Sequence, residues 1–376
     1  MKLLYISVVP VDFDNIAGVQ RKVLSQARAF AKLGMDVGLL IRSKGRIMLY
    51  DIVQERIINE YKGTSKYDIY NRAKGIIGDY SCAYIRYPMS DPMFISLLKS
   101  CRKCGTKVVV EIPTYPYDRQ IRKSIRKRLL DGIDKMFRKN LKRYVGGICT
   151  YSLDNEIYGI KTIKTINGFD FASVSPSTVF TNVKECINMI AVSGMHLLHG
   201  YDRMIEGLGQ YYKNGGTRNL VLHVVGSGEI EQEWKALVNK LGMEKHVIFH
   251  GRQFGKDLVK CYSNQAIGVN SLAIHREGLE RESTLKTKEY GAYGLPVISS
   301  SYVDAFSEKG NDTYVLRVPA NDSPINIDDL IAFVDDLYSG KELEQLRSEI
   351  RSDAQAVCDM SITMKPIADY FNYSEV

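Results

Sequence analysis

The amino-acid sequence predicts an α/β protein of two domains, each built on a doubly wound parallel sheet. Apolar runs typical of buried strands alternate with amphipathic helical stretches from the first residues onward. The alternation starts again near residue 187, after a segment rich in Gly, Pro, Ser and Thr. The length of 376 residues suits two domains of roughly 100–200 residues each.

The first domain opens with a β-α-β unit. KLLYISVV and DVGLLI are expected to be strands, and QRKVLSQARAFAKLG between them is expected to be a helix that ends at Gly34. CAYIRYP, KVVVEIP and GGICTYS are expected to add buried parallel strands. The charged ends of two of these strands, Arg86 and Glu111, are expected at the carboxyl edge of the sheet.

The second domain repeats the scheme with the strand-like runs INMIAVSG, NLVLHVVGSG, HVIFHG, AIGVNSL and PVISS. Helices are expected over 201–213, 230–241 and 285–293. We assign residues 1–175 to an N-terminal domain, 176–354 to a C-terminal domain, and 355–376 to a helix that packs back on the N-terminal domain. Because ligands bind outside the carboxyl ends of the strands in such sheets, we expect the site in a cleft between the domains.

Charge is divided unevenly along the chain. The net charge is +8, but residues 1–180 hold 31 Lys and Arg against 16 Asp and Glu, while the remainder holds 20 against 27. The basic first half predicts an anionic partner. No apolar run approaches the ~18 residues that span a bilayer. Seven scattered cysteines fit a reducing compartment, so we expect a cytoplasmic location.

The most informative stretch is REGLERESTLKTKEYGAYGLPVISS, residues 276–300. Ser283 and Thr284 are suited to cap a helix that begins at Leu285, and the free N–H groups of its first turn favour a phosphate. Lys286 adds a positive charge in that turn, and Glu289 is suited to accept hydrogen bonds from a sugar diol. An ordinary capped surface helix is the alternative that these residues leave open.

The stretch resembles the donor-binding signature of the retaining glycosyltransferases of family 4, in which two glutamates precede a Gly-x-Pro-Val turn. Glu289 and the following YGAYGLPVIS match the second glutamate and the turn. Arg281 occupies the position of the first glutamate, between Glu280 and Glu282. VVGSGEIEQEWKALVNKLGMEKHVIFHGR, TINGFD and AGVQRKVLSQARAFAKLGMDV also resemble segments of that family, so the resemblance covers nearly the whole chain.

The resemblance implies the GT-B fold, in which two Rossmann-like domains face an interdomain cleft. It also implies transfer of a sugar from a nucleotide diphosphate sugar, of UDP or GDP type, with retention and with neither cofactor nor metal. GMHLLHGYDRMIEGL lies where the family carries an Arg and a Lys-Gly for the donor diphosphate; here His199 replaces the lysine, and Arg203 and Lys286 are expected to supply the charge.

The remaining site residues follow from the same resemblance. Glu289 is expected to hold the ribose, and Glu282 or Glu280 the donor sugar. Independently of the resemblance, Glu111 ends a strand that faces the expected cleft, so we expect it on the catalytic side of the acceptor domain; a structural salt bridge with Arg86 is the alternative that these residues leave open. The further expected donor contacts are Gly18, Gly226, Arg252, Ser283, Thr284 and Leu285.

Residues 119–144 form the most basic segment, with eleven Lys and Arg between 119 and 143 against Asp131 and Asp134. Apolar residues recur every fourth position within it, at Ile121, Ile125, Leu129, Ile133, Phe137 and Leu141. Such an amphipathic segment predicts contact with an anionic membrane surface. A solvated helix face that packs on its own sheet is the alternative, and no nucleic-acid-binding motif accompanies the charge.

Taken with the resemblance of EIPTYPYD to enzymes of surface polysaccharide assembly, such as capsule, these features predict a glycan or polyprenyl-diphosphate-linked glycan as acceptor, on the inner face of the cytoplasmic membrane. Two alternatives remain open. One is a nucleotide-sugar epimerase on the same fold, and the other is a module that binds nucleotide sugar without transferring it.

Overall fold

The structure, a computed structural model, describes residues 1–14, 16, 18–117, 125–176, 182–279, 281, 283–307 and 312–373. For residues 125–127 and 307 it describes the backbone alone.

The chain divides into two compact units, unit 1 (Met1–Gly168 with Met360–Val376) and unit 2 (Phe169–Asp359). The sequence suggested 175 and 354 for these boundaries. The first and last residues of unit 2 are joined to each other. The Phe169 N–H donates to the Cys358 carbonyl at 2.9 Å, and Phe169 pairs with Asp359 in a β-bridge.

Unit 1 is a sheet with helices on both faces. Its strands are β1 (Lys2–Pro10), β2 (Asp36–Ser43), β3 (Arg46–Asp51), β4 (Arg56–Lys62), β5 (Cys82–Arg86), β6 (Lys107–Ile112), β7 (Gly147–Thr150), β8 (Glu156–Ile157) and β9 (Ile160–Lys164). Its helices are α1 (Val19–Lys32), α2 (Lys66–Ile76), α3 (Pro92–Lys103), α4 (Ile125–Phe137) and the last helix of the chain, α12 (Met360–Tyr373).

The strand order among the described residues of unit 1 is β4-β3-β2-β1-β5-β6-β7-β9-β8. The six central strands from β2 to β9 in this order are parallel, as predicted. At one edge of the sheet, β3 pairs antiparallel with both β2 and β4. At the other edge, β8 pairs antiparallel with β9. The predicted cap at Gly34 is also confirmed, because Gly34 has φ of 86° and its N–H donates to the Ala31 carbonyl.

Alternate residues of β1 enter two different cores of unit 1. Leu4 and Ile6 pack with α2 and α3, whereas Leu3 and Tyr5 pack with α1 and α12. Burial on both faces explains why the strand is apolar at consecutive positions.

Unit 2 contains a second α/β sheet. Its strands are β10 (Ile187–Val192), β11 (Leu220–Val225), β12 (Val247–Gly251), β13 (Ile267–Val269), β14 (Val297–Ser299) and β15 (Val315–Arg317). Its helices are α5 (Tyr201–Lys213), α6 (Glu231–Leu241), α7 (Gly255–Tyr262), α8 (Leu285–Ala292), α9 (Asp304–Ser307), α10 (Ile327–Tyr338) and α11 (Leu343–Cys358).

All pairings of the unit 2 strands among the described residues are parallel, in the order β12-β11-β10-β13-β14-β15. This is the doubly wound Rossmann order, in which the direction of winding reverses between the first and fourth strands, here β10 and β13. Met189 and Ala191 of β10 pack with apolar residues of α5, α6 and α10. None of the helices in the described part of the chain has the length and apolar content needed to span a bilayer.

The packing of α12 in unit 1 can be tested at Phe371, which is fully buried, with the exposed Tyr373 two residues later as a control. Phe371→Ala should lower the free energy of unfolding by about 3–5 kcal/mol, since it leaves a cavity beside Phe30 and Ile367. Tyr373→Ala should change it by less than about 0.5 kcal/mol. Urea unfolding followed by circular dichroism measures both; equal effects would contradict the burial of Phe371.

Candidate functional site

The candidate site of unit 2 lies where the winding of its sheet reverses. The chain leaves β10 toward α5 and leaves β13 toward α8, so the loops that follow these two neighbouring strands diverge. A crevice at such a switch point is the usual ligand site of a doubly wound sheet. His199 lies in the loop after β10, and Asn270 and Ser271 follow β13.

Lys286 brings these two loops together. It lies in the first turn of α8, it is 7% exposed, and its Nζ lies 3.0 Å from both His199 Nδ1 and Ser271 Oγ. The ammonium also lies 5.8 Å from the centre of the Tyr201 ring. We call Lys286, His199, Ser271 and the N-terminus of α8 the switch-point cluster.

His199 is held in its neutral form. Burial, the charge of Lys286 and the neighbouring His196 lower the pKa of His199 to about 2. A neutral imidazole next to an ammonium must present its unprotonated nitrogen, so Nδ1 accepts from Lys286. Its ring stacks on Tyr201 at 5.7 Å and 19°. His199 thus orients the Lys286 ammonium through a hydrogen bond, and as a neutral group it does not cancel the charge of that ammonium.

The beginning of α8 differs from the prediction in one respect. Thr284 is the N-cap residue, but its side chain makes no capping hydrogen bond. The hydroxyl instead donates to Asn270 Oδ1 at 3.2 Å and lies 3.2 Å from Thr287 Oγ1, because the loop after β13 passes beside it. The first-turn N–H groups of α8, from Leu285 onward, therefore donate no hydrogen bond to that side chain.

The Ser283 hydroxyl makes hydrogen bonds to both members of a buried ion pair that the sequence did not reveal. Lys288 is fully buried and pairs with Asp304 of α9, and its Nζ also donates to Ser283 Oγ at 3.1 Å. The Ser283 hydroxyl in turn donates to Asp304. These contacts attach the start of α8 to α9.

Glu289 is half-buried on α8, one turn after Lys286. It lies near Tyr262, and burial together with the charge of Glu289 raises the pKa of that phenol well above its ordinary value. The predicted donor-sugar residues Glu280 and Glu282 lie outside the described residues. Arg281 between them lies over the Tyr302 ring, 4.1 Å from its centre.

The Gly226-Ser227-Gly228 turn after β11 passes very close to the loop after β10. A Cβ on Gly226 would come within 1.8 Å of the Ser193 carbonyl oxygen, and one on Gly228 within 2.2 Å of the Met195 oxygen. The glycines therefore allow the two loops to cross. Arg252, after β12, is exposed and its Nε donates to Ser227 Oγ at 2.6 Å.

Arg203 is almost completely buried, at 1% exposure. Its guanidinium donates to the carbonyls of Leu272 and Ser323 and to Asn321 Oδ1 at 3.3 Å. Because Leu272 follows Ser271, these bonds hold the loop that carries Ser271. The arrangement favours a positioning role for Arg203, since its N–H groups are directed at protein oxygens.

In unit 1, Glu111 is the centre of a buried polar network. Glu111 is fully buried near the end of β6, and its carboxylate lies 2.9 Å from Lys22 Nζ and 2.7 Å from Arg86 Nη1. Tyr151 and Gln26 also donate to it. We call these five residues the Glu111 network.

The Glu111 network carries one surplus positive charge at neutral pH. Burial alone would raise the pKa of Glu111, but Lys22 and Arg86 outweigh it and hold that pKa well below its usual range. Burial lowers the pKa of Lys22 to about 8, against the opposing effect of Glu111. The sequence indicated Glu111 and Arg86 but missed Lys22, which reaches them from α1.

Gly18 immediately precedes α1, with φ of 47° and its carbonyl 3.1 Å from the Lys22 N–H. No described atom lies within 4 Å of a Cβ built there, so the backbone conformation, not close packing, favours glycine. Among the residues that the structure describes, no group of three or more His, Cys, Asp or Glu is arranged to hold a metal ion.

The basic segment is described from residue 125 onward. Asp134 of α4 is buried and accepts from Tyr87, Tyr117 and the Ser90 N–H, which fastens the helix to unit 1. Three apolar side chains of α4 remain exposed: Leu129 at 67%, Leu130 at 45% and Met136 at 66%. Leu129 was expected on the apolar stripe, and it faces solvent.

No curated protein sequence matches this chain. Residues 187–336, the greater part of unit 2, match the family model of glycosyl transferases group 1. The resemblance drawn from the sequence is thus confirmed over this segment, which has the sequence pattern of a group 1 glycosyltransferase.

Solved glycosyltransferase structures are similar over the whole chain. A glycosyltransferase from Rickettsia africae has 17% identity and a TM-score of 0.59, with all of both chains covered. Anabaena HepE in complex with UDP-glucose has 13% identity and a TM-score of 0.61, again over both whole chains. Sucrose-phosphate synthase from Thermosynechococcus elongatus has 14% identity and a TM-score of 0.65, over 99% of this chain and 100% of that one. The predicted GT-B fold is confirmed.

The loop crossing at Gly226 can be tested against Gly215, another glycine with positive φ but with no described atom within 4 Å of an added Cβ. Gly215→Ala should cost about 1 kcal/mol of unfolding free energy, from backbone strain alone. Gly226→Ala should cost at least about 3 kcal/mol, because the clash with Ser193 adds to that strain. Chemical denaturation measures the difference; equal costs would mean that the loops do not cross as described.

Proposed function

We propose that this protein is a retaining, metal-independent glycosyltransferase that moves a sugar from a nucleotide diphosphate sugar to a glycan or lipid-linked glycan. The match of residues 187–336 to group 1 glycosyl transferases, with Lys286 at the switch point of the same segment, carries the proposal. UDP is the favoured nucleotide because a similar structure, HepE, holds UDP-glucose. GDP is the other candidate.

The switch-point cluster is suited to bind the donor diphosphate. A diphosphate needs positive charge and N–H donors, which Lys286 and the first turn of α8 supply together. Glu289 would accept from the ribose hydroxyls. Arg252, exposed after β12, is a further cation of unit 2 that we assign to donor binding.

The transfer step requires stabilisation of the leaving diphosphate. The bond from the sugar C1 to the diphosphate oxygen breaks with its electron pair going to that oxygen, through an oxocarbenium-like state. Lys286 and the helix terminus stabilise the developing charge. An acceptor hydroxyl attacks from the same face, its proton passes to the departing oxygen, and configuration is retained. Glu282 or Glu280 would hold the donor sugar.

We assign acceptor binding to unit 1. The Glu111 network lies at the carboxyl ends of β5, β6 and β7, where doubly wound sheets present their ligands. Its surplus positive charge suits an acceptor with a phosphate or carboxylate. The exposed leucines of α4 among basic residues favour a polyprenyl-diphosphate-linked acceptor at the inner face of the cytoplasmic membrane, and hence a role in surface polysaccharide assembly.

The two alternatives differ in their products. A nucleotide-sugar epimerase would convert the donor into another nucleotide sugar without an acceptor, and a binding module would leave it unchanged. The transferase should release nucleoside diphosphate in proportion to added acceptor, so chromatography of the nucleotides after incubation separates the three.

Donor binding is expected to depend on Lys286 and not on a metal. Wild-type protein should be stabilised in a thermal-shift assay by UDP or GDP, equally with and without EDTA. Lys286→Met and Glu289→Ala should each weaken binding by about 10-fold or more, since each removes a charge-assisted hydrogen bond of about 1.5–3 kcal/mol. Lys240→Met, a charge loss at an exposed position of α6, is the control. An equal loss in the control, or loss with EDTA, would contradict the proposed site.

Membrane contact is expected to depend on α4. In flotation assays with vesicles that contain phosphatidylglycerol, the Leu129→Ser and Met136→Ser double variant should bind several-fold less than the wild type, because apolar area is lost from the interface. Leu153→Ser, at 67% exposure elsewhere in unit 1, should bind like the wild type. Binding that is unchanged in the double variant would exclude α4 as the membrane-contacting helix.

A further inference from the structure

Unit 1 contains a basic cavity to which the proposed function assigns no ligand, although two of its cations, Lys142 and Arg143, close the basic segment 119–144. The cavity has a volume of about 390 Å³ and lies between the end of α3, the starts of β6 and β7, and Tyr370 of α12. Lys107 and Glu111 lie four residues apart on β6, which separates them by about 13 Å along the strand. The cavity therefore lies at the amino ends of the parallel strands, whereas the Glu111 network lies at their carboxyl ends.

The charged residues among the described lining of the cavity are all cations. They are Arg102, Lys107, Lys142 and Arg143, and no carboxylate occurs among the lining residues that the structure describes. Arg102 Nη1 donates to the Arg143 carbonyl at 3.3 Å, and Lys107 Nζ to the Phe371 carbonyl at 3.5 Å. Among the ion pairs of the described residues, none includes Arg102, Lys142 or Arg143. Cations grouped in this way repel one another unless an anion lies between them.

The shape of the cavity depends on specific side chains. A Cβ on Gly146 would come within 2.6 Å of Tyr370 Oη, so glycine is what allows the tyrosine to reach the wall. The Arg102 guanidinium lies 6.0 Å from the centre of the Tyr144 ring. The cavity is thus bounded by aromatic rings as well as by cations.

We propose that this cavity is a phosphate-binding site, separate from the donor site of unit 2. A phosphate group matches the wall because arginine binds two of its oxygens at once, lysine adds charge and a tyrosine hydroxyl donates a further hydrogen bond. The volume is within the range of small-ligand sites, so a phosphate that carries a small organic group also fits. Such a phosphate has two sources, a soluble phosphate ester or the headgroup of an anionic lipid.

Lys142 and Arg143 are exposed, so the Lys142→Glu and Arg143→Glu double variant should fold. Lys103→Glu is the matched control, because Lys103 is exposed and adjacent to Arg102 but does not line the cavity. Lys286→Met changes the proposed donor site and leaves the cavity unchanged, so it distinguishes phosphate binding at the cavity from phosphate binding at the donor site. All variants are compared by melting temperature in inorganic phosphate or glycerol phosphate against chloride at equal ionic strength, and by flotation with phosphatidylcholine vesicles with and without phosphatidylglycerol.

The expected result is a phosphate-induced rise of about 2 °C or more in the wild type, Lys103→Glu and Lys286→Met, which is lost in the double variant. If the source is a lipid headgroup, the double variant should instead lose about 10-fold or more of its binding to phosphatidylglycerol vesicles while Lys103→Glu keeps it. Persistence of the shift in Lys286→Met supports the cavity even where the donor proposal fails. The proposal is overturned if the double variant and Lys103→Glu behave alike in both assays.

Discussion

The buried ion pair between Lys288 and Asp304 holds one side of α8 against α9 and thereby directs Lys286, on the other side of the helix. Successive helix residues are about 100° apart, so Lys286 and Lys288 lie on nearly opposite sides of the helix. A fully buried ammonium is tolerated only beside a partner charge. Asp304 therefore fixes the rotation of α8 about its axis, and this rotation directs Lys286 toward the loops after β10 and β13.

The two units bury positive charge in different ways. In unit 1, Lys22 and Arg86 share one carboxylate, so that a surplus charge remains within a network of hydrogen bonds. In unit 2, Lys288 is neutralised by Asp304, and Lys286 makes hydrogen bonds to the neutral acceptors His199 and Ser271. A neutral acceptor orients an ammonium without cancelling its charge. This is the property required of a residue that meets an anionic leaving group.

The sequence predicted the parallel strands and the alternation of strands with helices, because burial on both faces produces continuous apolar runs. It missed β4, whose residues are mostly exposed and show no apolar alternation. It singled out Lys286 but gave no indication that Lys288 is buried, since the side of a short helix that faces the core depends on tertiary contacts. Arg203 was expected at the donor diphosphate because GMHLLHGYDRMIEGL lies where the resembled family carries its diphosphate-binding cations. Its carbonyl partners, in particular Leu272 and Ser323, lie far away in the sequence and no local pattern indicates them.

The overall charge of unit 2 opposes the binding of an anionic donor. Unit 2 has 19 Lys and Arg against 26 Asp and Glu, whereas unit 1 has 32 against 17. Long-range steering would thus draw a diphosphate toward unit 1, but charges farther apart than about 8 Å are largely screened at physiological ionic strength. Within that distance, Lys286 and the N-terminus of α8 supply positive charge. The proposed recognition of a donor by unit 2 would therefore be local and weakly sensitive to salt, whereas the basic surfaces of unit 1 attract anions over longer distances and lose that attraction as salt is added.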